Sequence, residues 1–532
     1  MTGWDRLAKP LLWGGAIAGG LATLTAALVF GELNQDEGWY LYAAGQLAEG
    51  RLPYRDFAFT QGPVMVLIYA LASPLVEAFG VAGGRLATLI FGLGACACAA
   101  MLAARLVPDR RREAALAVIL LVGLNAYQAY FFTAVKTYAL TALFVGAGLL
   151  GLLGAGVRGR TGAAILAGIC FALATATRLS AGFVLPAAAV YLAAEHGRIG
   201  WRPAAAFVLA SAGALAAIVL PFAVAAPDGV WFGLVEYHGS RKVGPAGLWL
   251  MYKGGAIARL CQAYFVAVAA AVCLAGWRIA RPAGAGLSGG LTPEGRFAAA
   301  AAAALGLVAL VHLSAPFPYD DYQTFLFPAA AALLAAVALR SLPAGVSTQP
   351  LLGVLLLIGI VSVGASPVVQ NWFVRGQDRI WWRMRREPPL CVLRKAASDV
   401  RRLAGEGRTL LTQDLYLAVE ARMEVPRGME LGPFSYYPDW PRDRSDRRNV
   451  LNRDALAATI ASCDAAVAAV SGYGLEIRSP DLTPVPDAER AELLDAILAR
   501  YEPAGEVADF GQAGTRLQLY RRRAAVSSGP AQ

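Results

Sequence analysis

Apolar windows, each about 20 residues long, recur along the first two-thirds of this 532-residue chain. That length is what a helix needs to cross the hydrocarbon core of a bilayer. Only 16% of the residues are charged, and the mean hydropathy of +0.51 is far too high for a soluble protein of this size. The sequence therefore predicts a mainly α-helical chain that crosses a membrane many times.

We predict about eleven membrane-spanning helices from these windows. Their approximate bounds are 11–31, 84–106, 113–132, 137–155, 161–177, 179–195, 203–225, 256–279, 296–314, 323–340 and 350–367. The segment 63–79 is also apolar, but it is short and contains Pro74. We predict that it lies in the membrane interface. The alternative is that it spans, which would reverse the sidedness of every later loop.

Basic residues between the predicted spans indicate which side of the membrane each loop occupies. If the spans alternate, the arginine-rich loops share the side of Arg6 and Lys9; they contain residues 110–112, Arg158, Arg160, Arg198, Arg202, Arg278 and Arg281. Such loops stay in the cytoplasm, so the first loop, residues 32–83, and the C-terminal third face outward. We expect a multi-pass protein of the inner (plasma) membrane. The basic residues behind the formal net charge of +10 then set the orientation of the chain in the membrane, and we predict no nucleic-acid partner.

The last third of the chain differs from the rest, because charges become frequent and short alternating patterns appear. Helices are predicted over 391–404 and 488–500, and short strands over 408–412, 465–470, 507–510 and 516–520. We therefore divide the chain into a transmembrane domain (1–367), an interfacial linker (368–384), a small extracytoplasmic α/β domain (385–523) and a disordered tail (524–532).

The loop after the first span carries the most distinctive polar residues. Asp36 and Glu37 stand at the predicted outer membrane surface, and an aromatic helix follows them. Carboxylates beside low-dielectric surroundings can act as general bases. From residue type alone a structural role is favoured instead, in which one of the two acids caps the next helix in a solvated loop.

Several stretches share a pattern with one superfamily of membrane enzymes. After the acidic pair come Gly50-Arg-Leu-Pro-Tyr54, Gln61-Gly-Pro63, Arg85-Leu-Ala-Thr-Leu-Ile, Thr177-Arg-Leu-Ser-Ala-Gly-Phe and Tyr319-Asp-Asp-Tyr-Gln-Thr-Phe. This pattern resembles the GT-C superfamily of membrane glycosyltransferases, especially its protein O-mannosyltransferase and aminoarabinose lipid A transferase branch. The resemblance covers most of residues 10–367. Gln61 departs from it, because a basic residue often stands there in the aminoarabinose enzymes, so the donor sugar does not carry over.

The resemblance implies transfer of a sugar from a polyprenyl-phosphate donor to an extracytoplasmic lipid, glycan or protein, with inversion at the anomeric carbon. It makes Asp36 the general base and gives Glu37 an orienting role. The candidates for binding the donor phosphate are Lys136, Arg178, Arg241 and Lys242, and those for contacting substrate are Tyr54, Gln61, Tyr319 and Tyr322.

Each of these assignments has a simpler structural alternative. Arg178 could snorkel to the lipid headgroups, Arg241 and Lys242 could contact anionic lipid, and the tyrosines could anchor the chain at the interface. We interpret Asp320 and Asp321 as solvated acids.

Other functional classes are less consistent with the sequence. No cluster of residues has metal-site spacing, so we predict neither metal nor cofactor. The stretches 154–159 and 284–289 match G-x-G-x-x-G but lie between membrane helices without the strand–helix context of a dinucleotide site. A transporter or flippase is the main alternative function, and its acidic groups would lie near the bilayer midplane. A non-catalytic scaffold is the third hypothesis.

Overall fold

The computed structural model describes residues 3–239, 245–280, 292–343, 345–366, 379–380, 387–475, 485–512 and 514–523. The chain is mainly helical and carries one small mixed sheet near its C-terminus. This agrees with the predicted fold class.

The described part up to residue 366 is built from nineteen α-helices. In chain order they are α1 Gly3–Phe30, α2 Gln35–Ala48, α3 Pro63–Leu71, α4 Ser73–Phe79, α5 Val81–Leu106, α6 Arg111–Gly123, α7 Ala126–Phe131, α8 Thr137–Arg158, α9 Thr161–Thr177, α10 Val184–Ala194, α11 His196–Ile199, α12 Arg202–Ala225, α13 Pro227–Trp231, α14 Tyr237–Gly239, α15 Ala246–Ala263, α16 Phe265–Ile279, α17 Pro293–Ser314, α18 Phe327–Ser341 and α19 Gln349–Gly364. Short 3-10 turns at Leu179–Phe183 and Asp320–Gln323 join some of them.

Five of these helices are long and apolar enough to cross a membrane: Lys9–Phe30 within α1, and α5, α8, α12 and α17. A sixth candidate is the pair Gly247–Ala263 and Phe265–Ile279, which is bent by 92°. Four apolar helices are shorter: Thr161–Thr177, Leu179–Ala194, Phe327–Ser341 and Gln349–Gly364. The unbroken helices coincide with predicted spans, but the predicted span 256–279 is wrong as a single helix, because the chain bends at Tyr264 between α15 and α16. The chain is a multi-pass membrane protein. The count of eleven spans stays a prediction.

The predicted span 113–132 is wrong, because the chain breaks between α6 and α7. Asn125 causes the break: its Oδ1 accepts a 2.7 Å hydrogen bond from the Gln128 N–H and so caps α7, while its Nδ2 donates to the Ala263 carbonyl at 2.8 Å. The segment 63–79 forms α3 and α4, which meet at Ala72, and neither is long enough to span.

Small residues let the membrane helices pack closely. Helix α8 packs along both α5 and α9. A Cβ added at Gly151 would lie 2.9 Å from the Ala163 carbonyl oxygen, and one at Gly146 would lie 2.8 Å from the Cβ of Cys98. Such contacts bring helix backbones together where lipid supplies no hydrophobic driving force.

The C-terminal residues form the predicted small α/β domain. Its helices are α20 Pro389–Ala404, α21 Leu415–Ala421, α22 Arg442–Arg447, α23 Arg453–Ser462 and α24 Asp487–Arg500. Its strands, β1 Leu410–Thr412, β2 Val467–Val470, β3 Tyr501–Phe510 and β4 Thr515–Arg522, pair in the order β1-β2-β4-β3, and only β1 and β2 run parallel. The domain boundaries stay predictions. The predicted tail, and the predicted linker except residues 379–380, lie outside the described residues.

The α/β domain packs directly on the first loop. A Cβ at Gly38 in α2 would lie 2.9 Å from the Leu415 carbonyl carbon, so the glycine permits α21 to approach. The Val425 N–H donates a 3.0 Å hydrogen bond to the Tyr42 hydroxyl. Because these parts touch, the first loop and the C-terminal domain lie on the same side of the membrane.

Candidate functional site

The start of α2 gives the two neighbouring carboxylates different surroundings. Asn34 caps the helix and accepts a 3.1 Å hydrogen bond from the Asp36 N–H, while the Glu37 carboxylate accepts one of 2.9 Å from the Asn34 N–H. This reciprocal arrangement is a capping box. It turns Glu37 inward, where its side chain is fully buried, and leaves the Asp36 side chain 20% exposed.

Glu37 is held in a buried ion pair. Its carboxylate makes two hydrogen bonds with the Arg85 guanidinium, at 2.8 and 2.7 Å, and accepts a third from the Val135 N–H at 3.1 Å. Arg85 also donates to the carbonyls of Gly31 and Glu32. The pair thus joins the end of α1 to α2, α5 and the segment before α8. Glu37 fits the orienting role that the resemblance implies, but its carboxylate is closed to substrate.

Asp36 belongs to a separate, partly open network. Its Oδ2 lies 3.0 Å from the Lys136 ammonium, and its Oδ1 accepts a hydrogen bond of 3.2 Å from the Trp39 indole. Lys136 also binds Asp321, with 2.8 Å between Nζ and Oδ2. One cation therefore bridges two carboxylates that are far apart in sequence.

Arg178 lies beside this network at the end of α9. Its guanidinium carbon lies 4.8 Å from the ring centre of Tyr138 and 4.6 Å from that of Tyr322, and Nη1 donates to the Thr137 hydroxyl at 3.2 Å. Its Nε is buried without a hydrogen-bond partner, and no carboxylate in the described part of the chain pairs with it. The aromatic rings hold a cation whose N–H groups are largely unused.

A second row of charges was missed by the sequence analysis. Asp320 binds Arg259, with 3.1 Å between Oδ1 and Nε, and accepts a hydrogen bond of 2.7 Å from the Tyr127 hydroxyl. The interpretation of Asp320 and Asp321 as solvated acids is wrong: their side chains are 14% and 16% exposed, and both are ion-paired. A polar residue inside the predicted span 113–132, Asn125, was a sequence signal that this apolar stretch would break.

The C-terminal domain covers the start of α2. The Tyr473 hydroxyl donates to the Gln35 Oε1 at 2.7 Å, and the Gln35 N–H donates to the Gln512 Oε1 at 2.9 Å. Burial raises the pKa of Tyr473, so its hydroxyl stays protonated and able to donate. Asp414 lies nearby, and burial raises its pKa to about 6. Gln35 directly precedes Asp36 in the chain, so the α/β domain contacts the residue next to Asp36.

The other predicted site residues are not in this network. Tyr54 is buried, packs against Phe59 and Phe222, and donates to the backbone carbonyl of Gln61. Gln61 is partly exposed, and the neighbouring Gly62 packs against the backbone of Ala176.

The remaining predicted site residues are two tyrosines and two basic residues. The ring of Tyr319 lies 5.4 Å from that of Tyr322, at the edge of the site. Arg241 and Lys242 lie outside the described residues. Within the described ranges, no group of His, Cys, Asp or Glu has the geometry to hold a metal ion.

Comparison with solved structures places this geometry in a known fold. No protein-family model matches the sequence, and no curated protein matches it. The apo crystal structure of ArnT from Cupriavidus metallidurans matches with a TM-score of 0.59 and 14% identity, over 95% of this chain and 96% of that one. ArnT bound to undecaprenyl phosphate matches with a TM-score of 0.57 and 12% identity, over 100% of both chains.

The chain has the fold of ArnT. The predicted resemblance is thereby confirmed at the level of the fold. The likeness extends over the transmembrane helices and the C-terminal domain together.

Proposed function

We propose that this protein is a membrane glycosyltransferase that moves a sugar from a polyprenyl-phosphate donor to an extracytoplasmic acceptor. The observation that carries the proposal is the partly exposed Asp36 carboxylate beside Lys136 and Arg178. A hydroxyl acceptor needs a base, and a phosphate leaving group needs cations. The GT-C fold supports it, since ArnT has been crystallised with undecaprenyl phosphate.

In the proposed reaction Asp36 accepts the proton of the acceptor hydroxyl. The acceptor oxygen attacks the anomeric carbon, the bond from that carbon to the phosphate oxygen breaks, and polyprenyl phosphate leaves with the electron pair. A single displacement inverts the anomeric configuration. Arg178 stabilises the charge that develops on the phosphate, because its fork of N–H groups matches phosphate oxygens.

Lys136 links donor binding to the base. Without substrate, it pairs with both Asp36 and Asp321. A donor phosphate that draws Lys136 toward itself would leave the Asp36 carboxylate without its counter-ion. Asp36 would then be available for the proton when the leaving group is in place.

The positions of these charges favour an enzyme over a transporter. Asp36 stands at the start of α2, Lys136 directly precedes α8, Arg178 follows the end of α9, and Asp321 lies in a 3-10 turn. Asp36 and Lys136 lie just beyond the ends of the candidate spans Lys9–Phe30 and Thr137–Arg158, whereas a transporter site would lie near the middle of the bilayer.

The proposal is tested by mass spectrometry of lipids, glycans and proteins from the envelope of cells that lack this chain. We expect one sugar modification to disappear and to return with the wild-type gene. An unchanged envelope, together with reduced uptake or flipping of a lipid-linked substrate, would favour the transporter.

Replacing Arg178 with alanine should weaken use of the sugar donor. Charged hydrogen bonds contribute about 1.5–3 kcal/mol, so we expect the KM for the lipid-linked donor to rise roughly 10- to 100-fold while the KM for the acceptor changes little. The measurement is transfer in vesicles at varied concentrations of each substrate. Arg160→Ala is the matched control, because Arg160 is exposed at the opposite end of α9. An equal rise in both KM values would refute a role specific to the donor.

A further inference from the structure

A charged cavity lies away from Asp36, where the C-terminal domain meets the end of α4. Its volume is about 520 Å³, and its lining includes Phe79, Gly80, Arg394, Arg401, Glu420 and Arg422. The mechanism proposed above uses none of these residues.

The cavity carries an excess of positive charge. Three arginines and one glutamate line it, which leaves a net charge of +2. The Glu420 carboxylate is already engaged: it accepts a 2.8 Å hydrogen bond from the Val81 N–H at the start of α5, and it pairs with Arg394 at 3.3 Å. It therefore acts as a helix cap rather than as a neutraliser of all three guanidinium groups.

The protein's own contacts hold the three arginines in place but use only some of their N–H donors. Arg401 donates to the Glu420 carbonyl at 2.8 Å, Arg394 donates to the Phe79 carbonyl at 3.4 Å, and Arg422 donates to the Glu77 carbonyl. Each guanidinium has five N–H groups. Donors therefore remain that could bind an oxyanion.

The surroundings of the cavity indicate a lipid. It adjoins the start of α5, which is a candidate span, so it lies level with the end of a membrane-crossing helix. The adjacent short helices expose Leu71, Leu75 and Phe79, whose exposed fractions are 80%, 36% and 51%. Basic side chains at headgroup level beside exposed apolar side chains match the two ends of an anionic amphiphile.

We propose that this cavity binds the phosphate headgroup of an anionic membrane lipid, with Arg394, Arg401 and Arg422 as its ligands. The acyl chains lie along α3 and α4. Lipid bound there joins the C-terminal domain to the membrane surface, because the arginines come from that domain and the apolar side chains from the transmembrane part. The site does not depend on Asp36 or on the proposed transfer.

The test is binding of phosphatidylglycerol to the purified full-length protein in detergent, followed by native mass spectrometry and by the unfolding temperature. We compare the wild type with the double variant Arg394→Ala/Arg401→Ala. Each arginine contributes about a fivefold factor at an anionic surface, so we expect the double variant to bind roughly 30-fold more weakly. Arg402→Ala is the matched control, since Arg402 lies in α20, is 74% exposed and is not part of the cavity lining.

A lysine double variant and an inorganic phosphate control complete the experiment. If the alanine variant does not fold, Arg394→Lys/Arg401→Lys keeps both charges but loses the forked geometry, and it should bind lipid more weakly than the wild type. Inorganic phosphate at the same concentration should neither displace the lipid nor raise the unfolding temperature. Equal lipid binding by the wild type and the arginine variants, or equal stabilisation by inorganic phosphate, overturns the proposal.

Discussion

Asp36→Asn should lower the rate of sugar transfer by about 10²- to 10⁴-fold, which is the usual contribution of a general base. Asparagine has nearly the same shape, and its side-chain oxygen can still accept the Trp39 hydrogen bond that is 3.2 Å long in the native site. Its amide cannot take the proton of the acceptor hydroxyl. The change therefore removes the base while it leaves the local packing intact.

The measurement is product formation in vesicles that contain purified protein, lipid-linked donor and acceptor. Glu49→Gln is the matched control, because Glu49 is an exposed carboxylate at the opposite end of α2. Binding of the lipid-linked donor is measured in parallel. Lys136 loses one of its two carboxylate partners in this variant, and this should not weaken its binding of the donor phosphate. Near-wild-type transfer by Asp36→Asn would exclude Asp36 as the base.

Glu37→Gln should instead lower the stability of the whole protein. The substitution leaves Arg85 charged and fully buried without its carboxylate. Breaking a buried pair in this way costs about 3–5 kcal/mol, because the remaining charge stays desolvated. We expect a lower unfolding temperature in detergent and less folded protein in the membrane.

The double variant Glu37→Gln/Arg85→Met separates stability from catalysis. It removes both charges, so the unfolding temperature should recover part of the loss seen in Glu37→Gln alone. A Glu37→Gln protein with wild-type stability but no transfer would contradict the structural role and assign the carboxylate to the reaction.

A single capping box thus gives the neighbouring carboxylates of Asp36 and Glu37 different surroundings. The capping box turns Glu37 toward Arg85 and leaves Asp36 facing Lys136. The sequence alone leaves two roles open for the acidic pair, helix capping and catalysis. In the structure Asn34 caps the helix, Glu37 completes the capping box, and Asp36 is the acid that stays accessible.

The C-terminal domain was predicted well as an isolated unit but not as a neighbour of the site. Its four strands and two of its five helices, α20 and α24, follow local patterns of apolar residues and lie close to their predicted positions, whereas α21, α22 and α23 were not predicted. The contacts of Tyr473 and Gln512 with Gln35 join positions more than 400 residues apart. No local pattern encodes such a contact.

The sequence by itself determined that this chain is a helical membrane protein with a short α/β domain, and it singled out Asp36, Lys136 and Arg178. The first two conclusions depend on the length of apolar windows and on charges that interrupt them, which are local properties of the chain, whereas the choice of the site residues depends on the resemblance to GT-C glycosyltransferases. Tertiary structure alone decided that Glu37 pairs with Arg85 and that Lys136 bridges Asp36 and Asp321. The structure also showed that the predicted span 113–132 is interrupted at Asn125. The physical reason is that ion pairing depends on which helix ends meet in space, and in a bundle of apolar helices that is set by packing.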